Sequence, residues 1–201
     1  KRPSYFDTES ESTSLLSQRT LRVDSLPHEV YRLYSDGELV GVLQNRKKLD
    51  EFLKSVYHEF YAESFPNSEV YLGKDVYLIP EQSYLTYENI DTAICDYLLE
   101  NRLFTLKCTG VEFSDENGVY AEIYVSNEDL FNEAMNSYLT CFISSEDLAI
   151  LNRGETTPQL KTYGSRSVGV TVLQTIMMKE AYASPEEIRT TEAAVLDYLE
   201  Y

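Results

Sequence analysis

With 201 residues, the chain is long enough for one large domain or two small ones, each able to bury a core. Its apolar content of 43% is ordinary for a globular protein, but seventeen Tyr stand beside eight Phe and no Trp. The formal charge of -17, from 34 acids against 17 bases, repels nucleic acid and anionic lipid and argues against both as partners.

Residues 1–28 (KRPSYFDTESESTSLLSQRTLRVDSLPH) are rich in Ser, Thr and Glu without a sustained period, and predict a flexible arm or tether. Residues 29–34 and 38–44 then predict two strands around Asp36-Gly37, a pair that supplies the positive φ of a tight hairpin turn. A helix follows from Arg46 to Ala62, with Leu49, Phe52, Leu53, Val56 and Phe60 on one face. The stretch 69-EVYLGKDVYLI-79 alternates and predicts one long strand, with Val70, Leu72, Val76 and Leu78 on its core face. Thr86 opens a second helix whose stripe is Ile90, Ala93, Ile94, Tyr97 and Leu98.

The pattern then returns. In 111-VEFSDENGVYAEIYVSNEDLFNEAMNSYLTCF-142, Asn117-Gly118 matches Asp36-Gly37, and Ala121 and Ile123 match Val40 and Val42. Phe131, Ala134, Met135, Tyr138 and Phe142 match the first helix face, while Val168, Val170 and Ile176 match Val70, Leu72 and Leu78. Near the end, 182-YASPEEI-188 matches 84-YLTYENI-90, and 197-DYL-199 repeats 96-DYL-98. The expected fold class is therefore α+β: two tandem ββαβα repeats with antiparallel hairpins and amphipathic helices. The first spans 29–101 and the second 107–201, with an insertion at 143–167. Ser184-Pro185-Glu186-Glu187 has the residues of a capping box with proline in the first turn, and predicts a helix running to the end of the chain.

Signals for chemistry are sparse. Cys95, Cys108 and Cys141 lack CxxC spacing. Cys95 and Cys141 fall in apolar helical patterns, where a free thiol packs as a small hydrophobe; a Cys95–Cys108 disulfide is the alternative. The two histidines, His28 and His58, form no metal-ligand spacing, and His58 sits near the polar edge of its helix. The sequence 164-GSRSVG-169 does not fit a nucleophile elbow and predicts a turn into the following strand. Asp115-Glu116-Asn117-Gly118 lacks the alternating ligands of a calcium loop, and the matching Asp36-Gly37 favours a hairpin turn. The run 45-NRKK-48 lies at a helix start and predicts a local surface patch. Glu146-Asp147 falls in the insertion, and Glu186-Glu187 is accounted for by capping and the helix dipole. No catalytic residue, metal site or cofactor site is assigned. Tyr71 and Tyr77 point away from the core face of their strand and are the candidate ligand or partner surface, since Tyr offers a flat face and a polar tip.

The form YxxYxDGxxVGVLxxxxxLxxxL at 31–53, the long strand, and 182-YASPEEIRTTEAAVLDYLEY-201 resemble the N-terminal extracytoplasmic region of certain Gram-positive cell-wall proteins. There, such repeats lie between a membrane anchor and downstream LysM modules or a zinc-dependent murein endopeptidase of the lysostaphin type. The HxxxD and HxH ligands of that peptidase are absent, so the resemblance implies the non-catalytic part. It also implies an extracytoplasmic, cell-surface location, membrane anchoring in the full-length protein, and a cell-wall component or envelope protein as partner. No apolar run reaches the roughly 18 residues of a membrane span. Because the chain begins with Lys1 rather than Met, it is expected to be a piece of a longer protein with any anchor upstream.

Three functions follow as expectations. The first is a non-catalytic spacer, regulatory or protein-docking module for a cell-wall-active partner. The second is a peptidoglycan or glycan binder using exposed Tyr. The third is a glycan hydrolase, which would need two carboxylates roughly 5–10 Å apart.

Overall fold

The computed structural model describes residues 14–159 and 163–200. Among them are eight strands in two sheets and five α-helices, a mixed architecture compatible with α+β. They divide into two compact units: one holds the described residues up to Ala62 together with Glu69–Thr105, the other Glu63–Ser68 and everything from Leu106 onward.

In the first unit the elements are β1 (Thr20–Ser35), β2 (Glu38–Leu43), α1 (Arg46–Val56), β3 (Val70–Leu72), β4 (Val76–Tyr87) and α2 (Asp91–Glu100). The sheet order is β2-β1-β4, and both pairings are antiparallel. The hairpin turns through Asp36 at φ 51° and Gly37 at φ 81°. Two successive positive values are the signature of a type I′ turn, whose twist matches the flanking strands. The side-chain oxygen of Asn45 caps α1 by accepting from the Lys47 N–H at 3.0 Å. Leu33, Val40, Val42, Leu43, Leu49, Val56, Ile94 and Leu98 form the buried interior. Each such side chain contributes about 1.5–3 kcal/mol relative to exposure. Gly41 leaves room for Ile90 and Ile94 at the start of α2: a Cβ there would stand 2.9 Å from Ile90 Cδ1 and 3.3 Å from Ile94 Cδ1. Asp91 ties the same two elements, its Oδ1 accepting from the Gln44 N–H at 2.9 Å.

Several boundaries differ from the sequence reading. Strand β1 begins at Thr20, inside the stretch expected to be an arm. Residues 14–18 run along the outer edge of β2, where Leu15 and Leu16 donate to the carbonyls of Leu39 and Val40 at 2.8 and 3.0 Å. The Gln18 amide meets both backbone groups of Val42, at 2.8 and 2.9 Å, and so stands in for a strand residue. Residues 1–13 of the expected arm lie outside the described residues. The helix expected to reach Ala62 is α-helical only to Val56 and ends in a π-helical turn, Tyr57–Tyr61, closed by the Ala62 N–H on the Tyr57 carbonyl at 2.9 Å. The wider turn rotates Phe60 off the core face, leaving it 53% exposed. The single strand expected at 69–79 is broken by a turn in which the Val76 N–H meets the Gly73 carbonyl at 3.0 Å. Beyond it β4 continues to Tyr87, so α2 starts at Asp91 rather than Thr86. Pro80 sits within β4, which the sheet order places at an edge where a missing N–H is tolerated.

The second unit follows with β5 (Phe104–Asp115), whose first two residues still belong to the first unit, β6 (Gly118–Val125), α3 (Glu128–Leu139), α4 (Ser145–Asn152), β7 (Thr175–Ala183), β8 (Ile188–Arg189) and α5 (Glu192–Leu199). Strand β5 lies between β6 and β7, antiparallel to both, and β8 joins β6 in parallel. Val111, Phe113, Ile123, Val125, Phe131, Ala134 and Val195 form the buried core. Gly118, at φ 113°, pairs directly with Asp115 and so follows its turn, whereas Gly37 lies within its own. The two glycines matched in sequence thus do different work.

The capping-box motif does not start a helix. Ser184–Glu187 form a turn, with the Glu187 N–H on the Ser184 carbonyl at 2.9 Å and the Glu187 carboxylate accepting from the Ser184 N–H at 3.0 Å. Buried Ile188 and Arg189 then pair with Tyr124 and Val125, and the helix begins at Glu192, capped by Thr191. Pairing to β6 overrides the local helix signal. Likewise, the strand expected from Val168 begins only at Thr175. The expected insertion contains α4 and a lock: Arg166 holds the buried Asp147 carboxylate through Nε at 2.6 Å and Nη2 at 2.5 Å. All three cysteines are free; Cys95 and Cys108 are buried, whereas Cys141 lies beyond α3 and is exposed, against the reading that buried it.

Candidate functional site

The two tyrosines singled out from the sequence are both exposed. On β4, Tyr77 pairs in register with Tyr34 of β1, and their rings stack with centroids 5.2 Å apart and an interplanar angle of 10°. This cross-strand stack holds the Tyr77 ring against Tyr34. The Tyr71 hydroxyl donates to Glu69 at 2.5 Å, both on the strand segment around β3. Nearby on the sheet, Arg32 reaches from β1 to the Glu81 carboxylate of β4. That guanidinium holds the Glu81 carboxyl below its ordinary value, and the carboxylate in turn raises Arg32.

A larger concave surface lies in the second unit. An open cleft of about 1220 Å³ has Phe113, Ile123, Met135, Ile176 and Leu199 among its apolar lining, with Tyr120, Tyr124, Tyr138 and Tyr198 around them. The first two tyrosines come from β6, the third from α3 and the fourth from α5. Tyr120 and Tyr124 alternate with core-facing Ala121 and Ile123 along β6 and so lie on its other face, whereas Tyr138 and Tyr198 extend the apolar stripes of their helices. Arg189 stands with its guanidinium carbon 4.9 Å from the Tyr198 ring centroid, a cation–π contact that fixes the ring. Phe113 packs beside Tyr198, with ring centroids 6.2 Å apart.

Acidic groups line the same cleft: Glu122, Glu186, Glu187 and Asp197. The Tyr124 hydroxyl donates to Glu122 at 3.0 Å. Burial first, and then this bond, raise the Tyr124 phenol above its ordinary value, so it stays a neutral donor at physiological pH. Lys179 bridges Glu112 and Glu122, the second at 3.3 Å, and its own pKa is raised by those bonds. The cleft thus combines flat aromatic faces, an apolar floor and hydrogen-bonding groups, the usual composition of a binding site.

The remaining sequence candidates are placed elsewhere. His28 has its Nδ1 3.8 Å from Asp24, and exposed His58 packs beside Tyr57 with centroids 5.3 Å apart. The 45–48 run opens α1: Arg46 pairs with Asp50 at 3.0 Å, and Lys48 donates to Thr92 at 2.7 Å. Asp147 serves the lock with Arg166. Among the described residues, no group of three or more His, Cys, Asp or Glu side chains is placed to hold a metal ion. No helix among them is long and apolar enough to cross a membrane. The tyrosine excess was the sequence signal for the cleft, but nothing in the spacing showed that residues 120, 124, 138 and 198 converge. No family model, curated protein or solved structure matches this chain.

Proposed function

We propose that the chain is a non-catalytic, extracytoplasmic binding module of a cell-envelope protein, built from two ββαβα repeats, which docks a cell-wall-active partner. The observation that carries the binding role is the tyrosine-lined cleft of the second unit, whose aromatic faces and apolar floor suit a macromolecular partner. The repeat reading draws support from the sheets: each unit sets its first strand between a hairpin partner and a later antiparallel strand, as β2-β1-β4 and as β6-β5-β7. Each hairpin also carries an irregularity just before its turn, at Leu33/Tyr34 and at Phe113/Ser114. The envelope assignment rests on the sequence resemblance. Protease treatment of intact host cells tests it: an extracytoplasmic module is digested from outside, and full protection of the chain until lysis refutes the location.

A second reading, a glycan-binding module, draws on the same four tyrosines, because Tyr rings stack on sugar faces. Its test is retention on purified peptidoglycan, with Tyr120→Ala and Tyr138→Ala reducing it. Failure of the wild-type chain to be retained rejects this reading and leaves protein docking in place.

A further inference from the structure

We propose, on the repeat reading above, that the chain associates head to tail with a second copy of itself. The start of β1 in one copy adds as a strand to residues 168–173 of the next. The chain carries a finished example of this contact and a bare copy of each of its halves.

The finished example lies in the first unit. There β3 is hydrogen-bonded to the start of β5. The Gly73 N–H donates to the Leu103 carbonyl at 2.9 Å, and Thr105 Oγ1 donates to the Leu72 carbonyl at 3.0 Å. In this paired strand Val70 is only 7% exposed.

The first bare half is the segment matched to β3. Val168 and Val170 stand where Val70 and Leu72 stand in the first repeat, yet they are 80% and 40% exposed. Among the described residues no strand pairs with 168–173. Its sequence, VGVTVL, alternates, is rich in β-branched residues and contains neither charge nor proline. Its composition favours a strand, and no neighbour is there to pair with it among the described residues.

The second bare half is the start of β1. Leu106 of β5 pairs with Ala183, and Val23 of β1 pairs with Leu85. Because Ile176 matches Leu78, Ala183 matches Leu85, so the starts of β5 and β1 occupy equivalent places. The start of β5 is taken up by β3. Strand β2 pairs with β1 only from Tyr31 onward, and Leu21, Val23 and Leu26 are 62%, 73% and 75% exposed. The only charges at this start, Arg22 and Asp24, pair with each other at 2.8 Å, so the added strand brings no net charge to the apolar segment.

A contact between two different surfaces of one chain is heterologous and propagates into a ring or an open array. The net charge of -17 opposes it at long range. Added salt therefore strengthens the association, since screening removes the repulsion while strand pairing and apolar burial remain.

Sedimentation velocity over a micromolar to millimolar range tests the proposal with the whole chain. The wild type is expected to form concentration-dependent species larger than a dimer. Val170→Asp and Val23→Asp each place a charge in the joint and lower the association constant by roughly tenfold or more. An equimolar mixture of the two variants retains one intact joint, and it is expected to form a dimer that grows no further. Both sites are exposed, so folding is preserved, as circular dichroism melts verify; Val168→Asp and Leu21→Asp serve as second variants. A monomeric wild type, association unchanged in both variants, or a mixture that stays monomeric each overturns the proposal. A monomeric wild type whose experimental structure still superposes β2-β1-β4 on β6-β5-β7 rejects the contact alone, whereas failure of that superposition rejects the repeat reading and the contact with it.

Discussion

Replacing Arg166 with Met tests whether the Asp147 lock organises the segment after α3. Asp147 is buried near the start of α4, and its N–H is already capped by Ser144 at 3.2 Å. Two guanidinium nitrogens, Nε at 2.6 Å and Nη2 at 2.5 Å, meet its Oδ1, and Nη1 reaches the Pro158 carbonyl at 3.3 Å. Methionine keeps most of the volume but strands a buried carboxylate. A charge-assisted hydrogen bond contributes about 1.5–3 kcal/mol, and breaking a fully buried ion pair costs about 3–5 kcal/mol. The Arg166 side chain keeps 21% of its surface in water, which favours the lower figure, about 2 kcal/mol. In a protein of this size that corresponds to a fall in Tm of about 4–8 °C. Adding Asp147→Leu removes the stranded charge and is expected to recover more than half of the loss. Thermal melts of the two single variants and the double variant measure the coupling. A Tm within about 1 °C of wild type for Arg166→Met, or losses that simply add in the double variant, would refute the reasoning.

Other substitutions probe the remaining structure. Thr191→Ala removes the observed cap of α5 and is expected to cost about 1 kcal/mol, whereas Ser184→Ala stays within about 0.5 kcal/mol; urea midpoints that reverse this order would restore the helix start at Ser184. Phe131→Ala empties a fully buried position and is expected to cost about 3–5 kcal/mol, while exposed Phe60→Ala changes stability by under about 1 kcal/mol, as chemical denaturation can measure. Because Arg32 holds the folded-state pKa of Glu81 below its ordinary carboxylate value, the ion pair stabilises the fold above that ordinary value and its contribution is lost as pH falls through the lower folded one. Urea midpoints measured from neutral to acid pH should therefore fall more steeply for the wild type than for Glu81→Gln; parallel curves would show that the pair adds nothing.

The parts legible in the sequence were those specified by neighbouring residues. Asp36-Gly37 announced its hairpin because only a few residues accept two successive positive φ values. The stripe from Leu49 to Val56 announced α1, and Phe131 with Ala134 announced the core face of α3, because burial on one helical face imposes its own period. Alternation along β3 and β4 placed Tyr71 and Tyr77 outward. The errors fell where a distant partner decides. Ser184–Glu187 carried a strong helix signal, yet Ile188 and Arg189 are held as a strand by β6. Phe60 kept the helical spacing, yet a π turn moved it to the surface.

By itself, then, the sequence determined the hairpins, the amphipathic helices and the acidic character of the chain, since each depends on local backbone preference, hydrophobic period or charge count. Only the tertiary structure decided that Tyr120, Tyr124, Tyr138 and Tyr198 line one cleft and that, among the described residues, no strand pairs with 168–173. Strand partners and converging side chains depend on contacts between residues far apart in the chain, and no local period encodes them.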